Sequence, residues 1–207
     1  MTTTDYAKAR RLLARRDPVI AGLMKRHGPC GLANAQHEDA FTALVHAIIS
    51  QQLSTKAAAT IARRFDALFD GPPTAVAVAK VDDGQLRAVG LSSQKIKYMR
   101  DLSARVADGS LPLDTVNELA DEDVIQSLTQ VKGIGRWTAE MFLMFRLHRP
   151  DVLPVGDLGI LKAVQRNYGL RKMPHAERLT KIGEPWRPYR SVACWYLWAS
   201  LGNKPDS

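Results

Sequence analysis

Apolar side chains recur at three- and four-residue intervals along most of this chain, and no stretch shows the strict alternation of a half-buried strand. Phe41, Leu44, Val45, Ile48, Ile49 and Leu53 mark one helical face. Ser54 and Thr55, good N-cap residues, then open a second one carrying Ala58, Ile61, Ala62, Phe65, Leu68 and Phe69. That second helix is expected to stop at the breaker cluster Asp70-Gly71-Pro72-Pro73, and its other face bears Lys56, Arg63 and Arg64. Ile96, Met99, Leu102 and Val106 mark a helix entered from Ser92 and Ser93. Val124, Ile125 and Leu128 mark a short helix entered from acidic residues. Leu158, Leu161 and Val164 follow Asp157 at helical spacing, and Pro188 to Leu201 reads as a closing helix ended by Gly202. The fold class expected is all-α.

A chain of 207 residues can bury a real core. Its 29 Lys and Arg against 21 Asp and Glu leave a net charge of +8, which favours a polyanionic partner, nucleic acid first. Cys30 and Cys194 lie far apart, outside any CxxC pair, so they cannot assemble a zinc site or an iron-sulfur cluster, and a reducing compartment fits them. No apolar run approaches the roughly 20 residues of a membrane span, so no membrane partner is expected. His27, His37, His46, His148 and His175 include no pair at ligand spacing on one helix, and no catalytic metal is assigned. The ends, Met1 to Thr4 and Asn203 to Ser207, read as frayed.

The most informative stretch is Leu128-Thr129-Gln130-Val131-Lys132-Gly133-Ile134-Gly135-Arg136-Trp137-Thr138-Ala139-Glu140, two helices joined through a tight turn with two glycines. Ile134 would anchor the turn in the core. The backbone amides of Gly133, Gly135 and the following helix start, including Thr138, would point at a phosphate, with Lys132 and Arg136 adding charge. Such a turn also serves as a plain helix connector. On a basic chain with flanking cations, contact with a DNA backbone is the better explanation.

With that hairpin, and Asp157 downstream in Val152-Leu153-Pro154-Val155-Gly156-Asp157-Leu158-Gly159, the chain resembles the helix-hairpin-helix DNA glycosylase superfamily. Three further stretches are similar to its DNA-3-methyladenine glycosylase II branch: Ile48-Ile49-Ser50-Gln51-Gln52-Leu53-Ser54, Gly90-Leu91-Ser92-Ser93-Gln94-Lys95 and Trp186-Arg187-Pro188-Tyr189-Arg190-Ser191. The resemblance spans about Phe41 to Leu201. Some members of the branch carry an extra N-terminal β-rich domain, for which the residues before Phe41 leave no room, so a compact helical form is expected.

The resemblance implies a catalytic carboxylate at Asp157. An aspartate at a helix start is also an ordinary N-cap, and a negative charge is favoured there in either role. Bifunctional members have a lysine directly after the hairpin's Gly-Arg; here that position is Trp137, which cannot act as an amine nucleophile. Hydrolysis leaving an intact abasic site is therefore expected. Alkylated purines carry formal positive charge and are drawn to aromatic faces. By the resemblance Trp137 and Trp198 line the base pocket, Tyr189 and Trp195 could add surface, and Met141 stands where the branch can have a tyrosine. Three large aromatics on one helix cannot all face one way, so plain core packing is the competing account of Trp195, Tyr196 and Trp198.

Flipping the target nucleotide requires a side chain to fill the gap, and Gln52 and Ser93 are the candidates. Relatives also hold a monovalent cation, Na+ or K+, on hairpin carbonyls, which by position belong to Thr129, Val131 and Gly133; no cofactor is expected to be needed for catalysis. The organisation expected is two helical lobes, residues 41–147 with the hairpin and residues 1–40 plus 148–207 with Asp157, flanking the active-site cleft. The expected partner is double-stranded DNA containing alkylated bases, met by a monomer in the cytoplasm at the nucleoid. The alternative is a non-catalytic hairpin protein that only clamps DNA.

Overall fold

The computed structural model describes residues 3–34 and 39–202, and among these there is no strand. Twelve α-helices follow one another: α1 Thr3–Arg16, α2 Pro18–His27, α3 Ala40–Ser50, α4 Thr55–Asp66, α5 Ala75–Lys80, α6 Asp83–Ala88, α7 Ser93–Ala107, α8 Asp121–Thr129, α9 Arg136–Met141, α10 Leu158–Asn167, α11 Ala176–Gly183 and α12 Arg190–Ala199. The all-α expectation is met. Of the ends read as frayed, Thr3 and Thr4 belong to α1, whereas Met1, Thr2 and residues 203–207 lie outside the described residues.

Most helix starts follow from local chemistry. Asp17, Asp39, Ser54, Thr74, Asp82, Ser92 and Asp157 each accept a hydrogen bond from a backbone amide in the first turn of the helix that follows. The periodicity was right about helices and less exact about faces. Leu53 lies past the end of α3 and is exposed. In α10 the inward positions are Ile160, Ala163 and Val164, while Leu158 is 53% exposed. Leu53 is exposed because the apolar pattern was extended past the end of α3, and Leu158 because the first residue of α10 stands off the face made by Ile160, Ala163 and Val164.

Internal packing divides the chain into two compact units, residues 37–142 and residues 1–36 with 143–207. In the first, α3 packs on α4 and on α7, and α5 packs on α7, with Leu44, Ile48, Phe65, Val78, Ile96, Met99 and Leu102 buried. In the second, α12 packs against α1, α2 and α10. Every residue from Ser191 to Ala199 is buried, the mark of a helix enclosed on all sides. The chain passes from the first unit to the second within a π-helical stretch, Phe142–Arg146, that continues α9. No helix among the described residues is long and apolar enough to cross a membrane.

Candidate active site and nucleic-acid interface

In the unit made of residues 1–36 and 143–207, Asp157 caps α10. Its Oδ1 accepts a hydrogen bond from the Ile160 amide at 2.7 Å and a second from the Trp198 indole Nε1 at 3.0 Å. Asp157 is 8% exposed, and its carboxylate is held in this largely buried place by a local and a tertiary donor. Gly159 makes that approach possible: a Cβ there would lie 3.0 Å from Asp157 Oδ1 and 3.1 Å from the Trp198 ring. Trp198 in turn stacks on Phe145, ring centroids 5.9 Å apart and planes at 30°. Cap and candidate catalytic group are thus the same residue.

The loop leading to Asp157 is pinned by the motif around Tyr189. Asp151 accepts from Arg187 at 2.8 Å and from Arg190 Nε at 2.8 Å, and Arg190 also donates to the Asp151 carbonyl. Ser191 Oγ donates to the Arg149 carbonyl at 2.7 Å and accepts from the Val152 amide at 3.0 Å. Val152, Leu153 and Pro154 are buried behind it. Tyr189, at the N-cap position of α12, is half-buried. Trp195 is buried against Gly31, where a Cβ would meet its ring at 2.9 Å, and so belongs to the core.

The hairpin lies in the other unit, between α8 and α9. Gly133 has φ +83, and a Cβ on it would fall 2.2 Å from the Tyr98 ring of α7, so both backbone conformation and space require glycine. Ile134 is buried, as expected of an anchor. The Lys132 amide donates to Asp101 Oδ2 at 2.9 Å, and the exposed Lys132 ammonium lies 3.8 Å from Asp101 Oδ1. Burial pushes the Asp101 carboxyl up, but hydrogen bonds from Lys132 and Arg105 outweigh it and hold the group below its ordinary value.

Two of the expected phosphate-binding residues have partners or cover within the protein. Arg136 donates from both terminal nitrogens to Glu122 at 2.9 Å and from Nε to the buried Glu140 at 3.2 Å. The Glu122 hydrogen bonds, with both carboxylates' charge, raise its pKa. Its charge is balanced inside the hairpin and ties α8 to α9. Thr138 is buried, which restricts any phosphate contact there to what its backbone offers. Trp137, by contrast, is 50% exposed, and Met141, one turn further along α9, is half-buried. Gly135 is the N-cap of α9, with no side chain to cap it.

Gln52 is exposed and sits at φ +58, a left-handed conformation uncommon outside glycine; Ser93 is exposed at the first position of α7. Val131 O accepts from the Ile134 amide at 3.0 Å and Gly133 O from Gln51 Nε2 at 2.8 Å, so each carbonyl keeps a second lone pair. Thr129, the last residue of α8, turns its hydroxyl back onto the Ile125 carbonyl at 2.8 Å. Among the described residues no cluster of three or more His, Cys, Asp or Glu could hold a metal. Both cysteines are buried, and burial pushes the Cys30 thiol up to about 12.

Phe145, Gly159 and Gln51 were not singled out as site residues. Gly159 had a local signal, a glycine in the first turn of a helix, where it costs stability without a packing reason. Phe145 had none, since its partner Trp198 is remote in sequence.

The profile of the HhH-GPD superfamily of base excision DNA repair proteins matches residues 45–188. DNA-3-methyladenine glycosylase 1 of Schizosaccharomyces pombe is 36% identical over 166 residues, 79% of this chain and 73% of that protein. The structure is similar to that of the S. pombe 3-methyladenine DNA glycosylase in complex with abasic DNA, with a TM-score of 0.84 and 34% identity over 94% of this chain and 97% of that one. It is also similar to a DNA-3-methyladenine glycosidase from Bacillus halodurans, with a TM-score of 0.82 and 37% identity over 92% and 87% of the two chains. With 144 consecutive positions under one profile, hairpin and Asp157 included, this chain belongs to the HhH-GPD superfamily of base excision DNA repair proteins.

Proposed function

We propose that the protein is a monofunctional DNA glycosylase that hydrolyses the N-glycosidic bond of alkylated purines of the 3-methyladenine and 7-methylguanine type and leaves an abasic site. The observation that carries this reading is the Asp157 carboxylate, buried and fixed by the Ile160 amide and the Trp198 indole. The C1′–N bond breaks with its electron pair going to the base, which quenches the base's formal positive charge. Positive charge gathers on the sugar and is opposed by Asp157, water adds at C1′, and its proton passes to the carboxylate or solvent.

An already cationic base needs aromatic surface more than a proton donor. Trp198, Tyr189 and the half-exposed Trp137, with Met141, are assigned to it. Trp137 supplies no amine, so strand cleavage by a Schiff base is not part of the reaction. Lys132 and the amides of Gly133 and Gly135 are assigned to phosphates of the DNA backbone, with Arg136 bracing the hairpin from within. The carbonyls of Thr129, Val131 and Gly133, neutral oxygens of the kind an alkali cation takes, would hold Na+ or K+, a bridge from hairpin to phosphate. The same reading has a monomer working at the nucleoid, in keeping with the net charge of +8.

The test is incubation with methylated duplex DNA. Free 3-methyladenine or 7-methylguanine should be found by chromatography, with strand breaks only after alkali. Salt-sensitive duplex binding without base release would leave a DNA clamp instead.

Two substitutions probe the parts separately. Gly133→Ala forces a side chain into a left-handed position, costing roughly 1–2 kcal/mol, and against Tyr98. Duplex affinity by fluorescence anisotropy should fall about tenfold or more. Gly159→Ala should leave the melting temperature intact, because alanine favours the helix by about 1 kcal/mol. It should nevertheless slow single-turnover base release about tenfold by moving Asp157 and Trp198 apart. Wild-type release from Gly159→Ala would show that this spacing is unimportant.

A further inference from the structure

The turn that carries Gln52 is gripped from two directions. On one side Lys95, in the first turn of α7, donates from Nζ to the Ile49 carbonyl at 2.6 Å and to the Gln51 carbonyl at 2.8 Å. Carbonyls at the end of α3 have no partner within their own helix, and the negative end of its dipole favours a cation there. Partial burial lowers the Lys95 pKa, as expected of an ammonium enclosed by backbone. On the other side the Gln51 side chain crosses to the hairpin, where Nε2 donates to the Gly133 carbonyl at 2.8 Å. Between these attachments stands Gln52, exposed, with its backbone at φ +58. A non-glycine residue keeps such a conformation when its surroundings over-determine it, and these two grips do so.

We propose that Lys95 and Gln51 are positioning residues that lock the turn bearing Gln52 to α7 and to the hairpin, so that engagement of a phosphate by the hairpin and insertion of Gln52 into the duplex happen as one event. The inference rests on the glycosylase reading and on Gln52 filling the space left by a flipped nucleotide. Neither Lys95 nor Gln51 touches the base. Their effect is on where Gln52 stands relative to Gly133, and α7 holds the hairpin from behind through Asp101 and Tyr98. If Lys95 merely capped α3, its loss would lower stability, and cutting the Gln51 tether would change nothing in the reaction.

The experiment compares Lys95→Met, Lys95→Arg, Gln51→Leu and Gln52→Ala with the wild type in three measurements. These are single-turnover base release from methylated duplex at saturating protein, affinity for undamaged duplex, and fluorescence of a 2-aminopurine next to a tetrahydrofuran abasic analogue. Lys95→Met and Gln51→Leu should slow release about tenfold or more, as misplacement of a working group does, and should remove the 2-aminopurine change as Gln52→Ala does. Affinity for undamaged duplex should stay within about twofold, and Lys95→Arg should recover most of the rate, because a guanidinium can still donate to two carbonyls. The Lys95→Met, Gln51→Leu double variant should be little worse than either single one. Wild-type release and fluorescence from Gln51→Leu would overturn the proposal, including the case in which Lys95→Met fails only by melting. If the wild type binds duplex but releases no base, the glycosylase reading fails, and the 2-aminopurine signal still decides the positioning role.

Discussion

Asp157→Asn should abolish most base release while leaving the protein folded and able to bind duplex. Asparagine is as good an N-cap as aspartate, and its carbonyl oxygen can accept the same hydrogen bonds from the Ile160 amide and the Trp198 indole. What disappears is the charge. Two unit charges about 4 Å apart at an effective dielectric constant of about 20 interact by about 4 kcal/mol. If most of that acts only in the transition state, the loss is about 10²–10³ in rate, the range found when one preorganised electrostatic group is removed. Single-turnover release from methylated duplex, with affinity measured in parallel, checks it. A variant within threefold of the wild-type rate would reduce Asp157 to a helix cap.

Asp17→Ala should be the most destabilising of the single changes considered, although it touches no part of the chemistry. Asp17 Oδ1 caps α2 by accepting from the Val19 amide at 2.9 Å and the Ile20 amide at 3.1 Å. Its Oδ2 accepts from the Trp186 indole at 2.7 Å and from the Tyr168 hydroxyl at 2.5 Å. Burial, with Asp17 alongside, pushes the Tyr168 hydroxyl far above its ordinary pKa, so it stays a neutral donor. One carboxylate therefore joins the N-terminal helices to residues more than 150 positions away. Alanine removes the cap, worth about 1 kcal/mol, and leaves two enclosed donors unsatisfied at about 1–3 kcal/mol each. An overall loss of about 3–7 kcal/mol is expected, which for a chain of this size lowers the melting point by about 10 °C or more. Asp17→Asn, whose one acceptor oxygen can keep the cap but leaves an NH2 group facing the Trp186 and Tyr168 donors, should recover only the cap's share of the loss. Differential scanning calorimetry decides, and a melting point for Asp17→Ala within 2 °C of wild type would refute the account.

How far the site could be read in advance depended on the range of the interactions that define each residue. The hairpin was legible because a left-handed glycine beside a helix start is a property of a few consecutive residues; Gly133 at φ +83 obeys it. Asp157 was legible as a cap for the same reason, and the resemblance supplied the catalytic role that a cap alone does not imply. Partners are what a charge count does not register: Arg136 is paired with Glu122, fourteen residues away, and with Glu140, one turn on. The short helices α5 and α6 escaped the periodicity test for want of length. Their N-caps, Thr74 and Asp82, and the Asp17-Pro18 pair ahead of α2, were the signals that could have located them.

By itself the sequence determined that the chain is helical, where about half of its helices begin, that a glycine hairpin stands among basic residues, and that a capping carboxylate follows it. These are consequences of backbone sterics, hydrophobic period and side-chain-to-amide hydrogen bonds spanning three or four residues. Only the tertiary structure decided that the Trp198 indole closes on Asp157 from 41 residues away, that Phe145 stacks on that indole, that Lys95 and Gln51 tie the Gln52 turn to α7 and the hairpin, and that Asp17 anchors α2 to Tyr168 and Trp186. Each of those contacts joins groups whose separation along the chain carries no trace of their separation in space, because it is the burial of the whole apolar surface, and no local preference, that brings them together.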